Sequence, residues 1–75
     1  MAYKVGRCLL RDLLKKTGMS QRDLAIKLGV TVQQINKYVT DRQRMSIEVA
    51  KNISAILNCQ IEDLYEWIKE AGDNE

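Results

Sequence analysis

Residues 20–39 read Ser20-Gln-Arg-Asp-Leu-Ala-Ile-Lys-Leu-Gly29-Val-Thr-Val-Gln-Gln-Ile-Asn-Lys-Tyr-Val39. Two short helices joined at Gly29 satisfy every local preference in this stretch. Ser20 is a good N-cap, and Asp23 sits three residues on, at the positive end of the helix dipole. Leu24, Ala25 and Leu28 then share one helical face. Gly29 can take the left-handed conformation that ends a helix. Val30 is expected to be a buried plug between the helices. Thr31 caps the second helix, and Gln34 three residues later completes a Thr-x-x-Gln capping box. Ala25 is small enough to let the two helices approach, so the stretch predicts a helix-turn-helix unit.

The residues that carry this reading also carry a family likeness. Ser20-Gln21, Leu24-Ala25, Gly29-Val30-Thr31, Ile35 and Tyr38 resemble the helix-turn-helix of the phage Cro and lambda-repressor-like proteins, the XRE family. Beyond the motif, Ser46-Ile47, Ala50, Ile53, Leu57, Ile61 and Leu64 are similar to that family's fourth and fifth helices. The likeness spans roughly residues 5–66. It implies an all-α, compact five-helix lambda-repressor-like domain, with the helix-turn-helix at helices two and three. It also implies binding of double-stranded DNA, usually as a homodimer.

Seventy-five residues hold one small domain, expected over residues 1–70 with a short acidic tail at 71–75. There is no Pro or Phe and only four Gly, a composition that favours helices over a β-fold. No apolar run approaches a membrane span, and the first ten residues lack the apolar core of a signal peptide. The expectation is a cytoplasmic protein without membrane association. No linker, repeat, sensor or self-cleaving segment is expected.

Cys8 and Cys59 are the only cysteines and there is no His, so the usual zinc ligand set is missing and no cofactor or metal is expected. Both cysteines read as small buried hydrophobes. Without His, a phosphate-binding Gly loop or paired carboxylates in a cleft, an enzyme is disfavoured.

The net charge of +2 conceals an asymmetry. Residues 1–45 carry ten Lys or Arg against three Asp, while residues 46–75 carry two Lys against seven acids. One part of the molecule is therefore suited to a polyanion and the other is not.

In order along the chain, residues 4–16 predict helix one, with Val5, Leu9, Leu10, Leu13 and Leu14 on a wide apolar stripe. Lys15 and Lys16 suit its last turn, and Gly18 stops it. Arg7 and Arg11 lie on its polar face, as solvated residues or as phosphate contacts.

Helix two spans 20–28. Its first-turn Gln21 is, by the family resemblance, a phosphate ligand, at a helix start that favours anions. Arg22 and Lys27 are further phosphate candidates on the polar face.

Helix three, 31–39, is the candidate recognition helix. Ile35 faces inward with Tyr38 or Val39, leaving Val32, Gln33, Gln34, Asn36 and Lys37 off the core face. Gln and Asn amides pair with adenine, Lys reaches guanine acceptors, and Val32 suits a thymine methyl or partial burial against helix two. The family motif places Thr31, Val32, Gln33, Gln34 and Lys37 toward the groove. Gln34 has a second use in the capping box.

The loop at 40–45 departs from the family, which usually has Gly where this chain has Asp41. Asp tolerates the left-handed region, so the turn can survive. Arg42 and Arg44 are phosphate candidates, with the Thr40 hydroxyl beside them.

Helix four, 46–57, is capped by Ser46 and buries Ile47, Ala50, Ile53 and Leu57, and Asn58 replaces the usual terminal Gly. Helix five, 60–70, packs Ile61, Leu64, Tyr65 and Ile68 on the core. Trp67 either covers helix one or anchors a dimer. Leu64, Trp67 and Ile68 are the dimer-interface candidates.

The leading expectation is a sequence-specific transcriptional regulator, repressor or Cro-like, of phage, prophage or mobile-element type. Helix three would read bases while Lys and Arg hold phosphates. Its dimer would read two half-sites and could be completed only on DNA. The alternative is a protein-interaction module, such as an antitoxin or anti-repressor, on the same fold. The basic half and the polar helix three favour the first.

Overall fold

Strand β1 occupies Ala2–Cys8, where the apolar spacing predicts the first turns of a helix. The computed structural model describes residues 2–70, and the expected acidic tail lies outside them. After β1 come α1 (Leu10–Thr17), α2 (Gln21–Leu28), α3 (Val32–Val39), α4 (Ile47–Leu57), a single 3-10 turn (Ile61–Leu64) and β2 (Tyr65–Glu70). The described residues therefore form four α-helices and a two-stranded antiparallel sheet, not five helices. The predicted helix over 60–70 is corrected to a 3-10 turn and a strand, and helix one shortens to its second half.

The physical reason is pairing between residues 2–8 and residues 65–70. Val5 sits opposite Trp67, Tyr3 opposite Lys69 and Lys4 opposite Ile68. Val, Tyr, Trp and Ile all fit a pleated surface, and Gly6 weakens any helix that contains it. The register slips by one residue between Val5 and Cys8, so Gly6 and Arg7 together face Glu66 in a β-bulge. A Cβ on Gly6 would lie 2.9 Å from the Glu66 Cβ, so only glycine fits the approach. Lys4 with Glu70 at 3.7 Å and Arg7 with Glu66 at 4.0 Å add exposed ion pairs across the sheet.

Helix boundaries follow local chemistry. Ser20 and Asp23 form a complete capping box, the Ser20 hydroxyl accepting from the Asp23 N–H and the Asp23 carboxylate from the Ser20 N–H. Thr31 and Ser46 each accept from the backbone N–H three residues on. Gly18, Gly29 and Asn58 end their helices in the left-handed region. Asp41 does the same just beyond Thr40, at φ 63°, with its N–H donating to the Tyr38 carbonyl and the Arg42 N–H to the Lys37 carbonyl. That double bond pattern is a Schellman closure, so the turn survives without Gly.

Leu10, Leu24, Ile35, Ile53 and Leu64 are the large side chains buried completely, joined by Leu14, Ala25, Tyr38, Val39, Ala50, Leu57 and Tyr65. Three apolar expectations need correction. Val30 is 36% exposed rather than a buried plug, Ile47 is 76% exposed, and Ile68 is 47% exposed on β2. Ile47 sits in the first turn of α4 at the open rim of the groove it lines with Ala50, and strand geometry turns Ile68 away from Tyr65 and Trp67. Cys8 is buried as expected, Cys59 is half-buried, and both are free thiols. No described helix is long and apolar enough to cross a membrane.

Candidate nucleic-acid interface

The apolar positions of α3 settle which of its faces is outward. Ile35, Tyr38 and Val39 are buried, so Val32, Gln33 and Lys37 point to solvent, with Gln34 and Asn36 half-buried at the margin. Val32 is 41% exposed beside these polar neighbours, which leaves its methyl groups available to an outside apolar group. Thr31 is exposed, but its hydroxyl oxygen is engaged as the N-cap.

Gln34 does not complete the expected capping box. Its side chain donates instead to Gln43 Oε1 at 3.1 Å, across the loop that follows α3. Gln43 escaped the sequence reading because nothing local links positions nine apart across a helix end. The bond ties the start of α3 to its exit loop.

The same loop folds Arg42 back onto α3. Its Nη2 donates to Asn36 Oδ1 at 3.1 Å, and its Nε donates to Thr40 Oγ1 at 3.2 Å. Thr40 in turn donates its hydroxyl proton to the Asn36 carbonyl at 2.7 Å. Val32, Gln33, Asn36, Lys37 and Arg42 consequently line one shallow depression. Two cations and two amides converge there around a partly exposed valine, a surface matched to a polyanion with polar edges.

The other expected contacts lie elsewhere. Gln21 is half-buried in the first turn of α2, whose capping box engages Ser20 and Asp23, and Arg22 is exposed beside it. Arg44 parts company with Arg42. It lines an apolar groove with Val5, Met45, Ile47, Ile61 and Trp67, next to the sheet.

The dimer candidates also separate. Leu64 is fully buried in the chain's own core and offers nothing to a partner, which corrects its assignment. Trp67 and Ile68 are 46% and 47% exposed on β2. The Trp67 indole N–H donates to the Glu62 carbonyl at 3.0 Å, and the ring pairs with Val5 across the sheet. Trp67 therefore packs on a strand rather than over helix one.

Among the described residues, no cluster of His, Cys, Asp or Glu is arranged to hold a metal ion. Burial raises the Cys8 thiol above its ordinary value, with the Leu10 backbone opposing and the Asp41 carboxylate reinforcing the shift. A thiol held protonated in this way is a packing group rather than a nucleophile.

Comparison with known proteins gives this surface a context. A family model for the Cro/C1-type HTH DNA-binding domain matches residues 9–70. The chain is 37% identical over 65 residues to the SPbeta prophage-derived uncharacterized HTH-type transcriptional regulator YopS of Bacillus subtilis (strain 168), covering 85% of this chain and 88% of that one. It is 34% identical over 59 residues to an uncharacterized HTH-type transcriptional regulator of Archaeoglobus fulgidus, covering 79% of this chain and 84% of the relative. The crystal structure of the transcriptional regulator VanUg superposes with a TM-score of 0.68 at 26% identity, covering 93% of this chain and 92% of that one. The matched span runs from the start of α1 through α3 and its exit loop to the end of β2, so the chain belongs to the Cro/C1-type helix-turn-helix DNA-binding family.

Proposed function

We propose that this chain is a sequence-specific regulator of transcription that inserts α3 into the major groove of duplex DNA, as a repressor or Cro-like protein of prophage or mobile-element type. One observation carries the reading: Val32, Gln33, Asn36, Lys37 and Arg42 share a single outward surface on and beside α3. Base-edge chemistry and phosphate chemistry are both present in that set. The prophage part rests on likeness to YopS.

Within this reading Gln21 and Arg22 hold phosphates, Arg44 belongs to the groove beside the sheet instead, and Thr31, Val32, Gln33, Gln34 and Lys37 face the bases. A second copy completes the reader, since one α3 spans only a half-site. The sheet side is the surface that serves it. Tyr3, Ile47 and Trp67 are large, apolar and exposed there, Val5, Met45 and Ile61 line the adjoining groove, and Ile68 lies on the opposite face of β2.

Selection of bound sequences from random duplex DNA tests the whole reading. A palindromic motif is expected, with binding that weakens steeply as salt rises. Gln33→Ala and Lys37→Ala should each relax part of the motif. Trp67→Lys should weaken self-association and full-site affinity together, without altering the bases preferred in a half-site. Folded protein that enriches no motif sinks the proposal and returns attention to a protein partner.

A further inference from the structure

We infer that Arg42 reads a guanine edge in the major groove, and that Asn36 and Thr40 are the positioning residues that aim it. The inference rests on the proposed docking of α3 against DNA and changes the roles of three residues within it. Spacing alone makes Asn36 a base reader, and Arg42 and Thr40 phosphate ligands. The hydrogen bonds distribute the work differently.

A guanidinium offers two forks. The lateral fork, formed by Nε–H and one Nη2–H, is filled by Thr40 Oγ1 at 3.2 Å and Asn36 Oδ1 at 3.1 Å. The terminal fork, formed by Nη1–H and the second Nη2–H, makes no hydrogen bond to the described residues. Two parallel donors at that spacing match two adjacent acceptors, as on guanine O6 and N7 or on a phosphate. Location separates these two. The held guanidinium lies in the depression lined by Val32, Gln33 and Lys37, on the outward side of α3, whereas Arg44 from the same loop turns toward the sheet.

The partners are committed by the same bonds. A bidentate adenine contact needs the Asn Oδ1 to accept from the base while its amide donates. Asn36 Oδ1 already accepts from a cation, which takes one of its two lone pairs and orients the amide toward Arg42 rather than toward a base. Thr40 has one hydroxyl proton, and it goes to the Asn36 carbonyl at 2.7 Å, so none remains for a phosphate oxygen. The Schellman closure at Asp41 fixes the path of the loop, and with it the position of the Arg42 backbone. Arginine carries long-chain rotamer freedom, and holding it in place before DNA arrives reduces what binding must order.

The test is selection from random duplex DNA followed by affinities on the selected site and its single-base variants, at two salt concentrations. Wild type, Arg42→Lys, Asn36→Ala and Asn36→Asp are compared, each checked for folding by circular dichroism and thermal midpoint. The expected wild-type site contains a guanine whose replacement weakens binding about tenfold or more, the scale of one bidentate base contact. Arg42→Lys keeps the charge and Asn36→Ala keeps the arginine, yet both should flatten preference at that same position. Asn36→Asp should retain the preference, since a carboxylate still holds the guanidinium, while lowering affinity on every sequence.

Two outcomes overturn the inference and leave the DNA reading standing. In one, Arg42→Lys leaves every base preference intact and weakens all sequences equally, as a phosphate contact would. In the other, Asn36→Ala erases an adenine preference at a separate position. Folded wild type that enriches no motif defeats the DNA reading itself and this inference with it.

Discussion

Asp41 reaches across 33 residues of sequence to Cys8, its carboxylate oxygen accepting the Cys8 backbone N–H at 3.0 Å. The loop that leaves α3 is thereby fastened to the strand that begins the chain. Asp41 does two separable things, since it also holds φ at 63°. Asp41→Asn should be close to neutral, because it retains an acceptor and tolerates the left-handed region. Asp41→Gly keeps the backbone but leaves a part-buried N–H without its partner, for a loss of about 1–2 kcal/mol. Asp41→Ala loses the bond and adds left-handed strain, for about 2–3 kcal/mol. Chemical denaturation of the three variants should return that order.

Gly6 tests the sheet. A methyl group there meets Glu66 Cβ at 2.9 Å and the Glu66 carbonyl oxygen at 3.2 Å, and the backbone of a paired strand cannot simply step aside. Gly6→Ala should destabilise by about 1–3 kcal/mol, the usual scale of overpacking. The same change in a helix would stabilise. The sign of the shift in thermal midpoint therefore separates a strand from a helix at residues 2–8.

Tyr65 closes the far side of the same junction. Its ring is buried and its hydroxyl oxygen accepts from the Met45 N–H at 3.0 Å. Tyr65→Phe keeps the ring but strands that part-buried N–H, and should cost about 1–2 kcal/mol by urea unfolding. Hydrogen exchange at Met45 should accelerate more than exchange within α2.

Alkaline pH should weaken the fold in two stages. Burial raises the Cys8 thiol above its ordinary 9.0 and the Tyr65 phenol above its ordinary 10.0, with the Met45 backbone partly opposing the second shift. Both groups hold their protons more tightly folded than unfolded. Their stabilising contribution is complete below the unfolded values and is lost as pH rises through the folded ones. Urea midpoints should hold steady up to about pH 9, then fall. Cys8→Ala should flatten the first part of that fall, and Tyr65→Phe the second.

The helix-turn-helix was legible because its information is local. Ser20, Asp23, Gly29 and Thr31 act on backbone groups within a turn of themselves, and each does in the structure what its chemistry predicts. Ile35, Tyr38 and Val39 set the inward face of α3, so its outward face followed by elimination. Even Asp41 and Asn58 could be read as left-handed helix ends. The candidate site was legible as a set of residues for the same reason. Its wiring was not, because Gln34 to Gln43 and Asn36 to Arg42 join a helix to its exit loop, at separations that no periodicity marks.

The sequence by itself therefore determined the helical core, the turn at Gly29 and the side of α3 that faces outward. These depend on caps, on 3.6-residue periodicity and on the conformational range of single residues. Only the tertiary structure decided that residues 2–8 and 65–70 form a sheet. Val5 and Trp67 meet from opposite ends of the chain, and in isolation Val5 with Leu9 and Leu13 fits a helix as well as Val5 with Tyr3 fits a strand. A two-stranded pairing has little stability of its own, so its existence depends on a core that first brings Cys8 and Tyr65 together. The aim of Arg42 was decided at the same level, because its partners become neighbours only after the loop has closed over the end of α3.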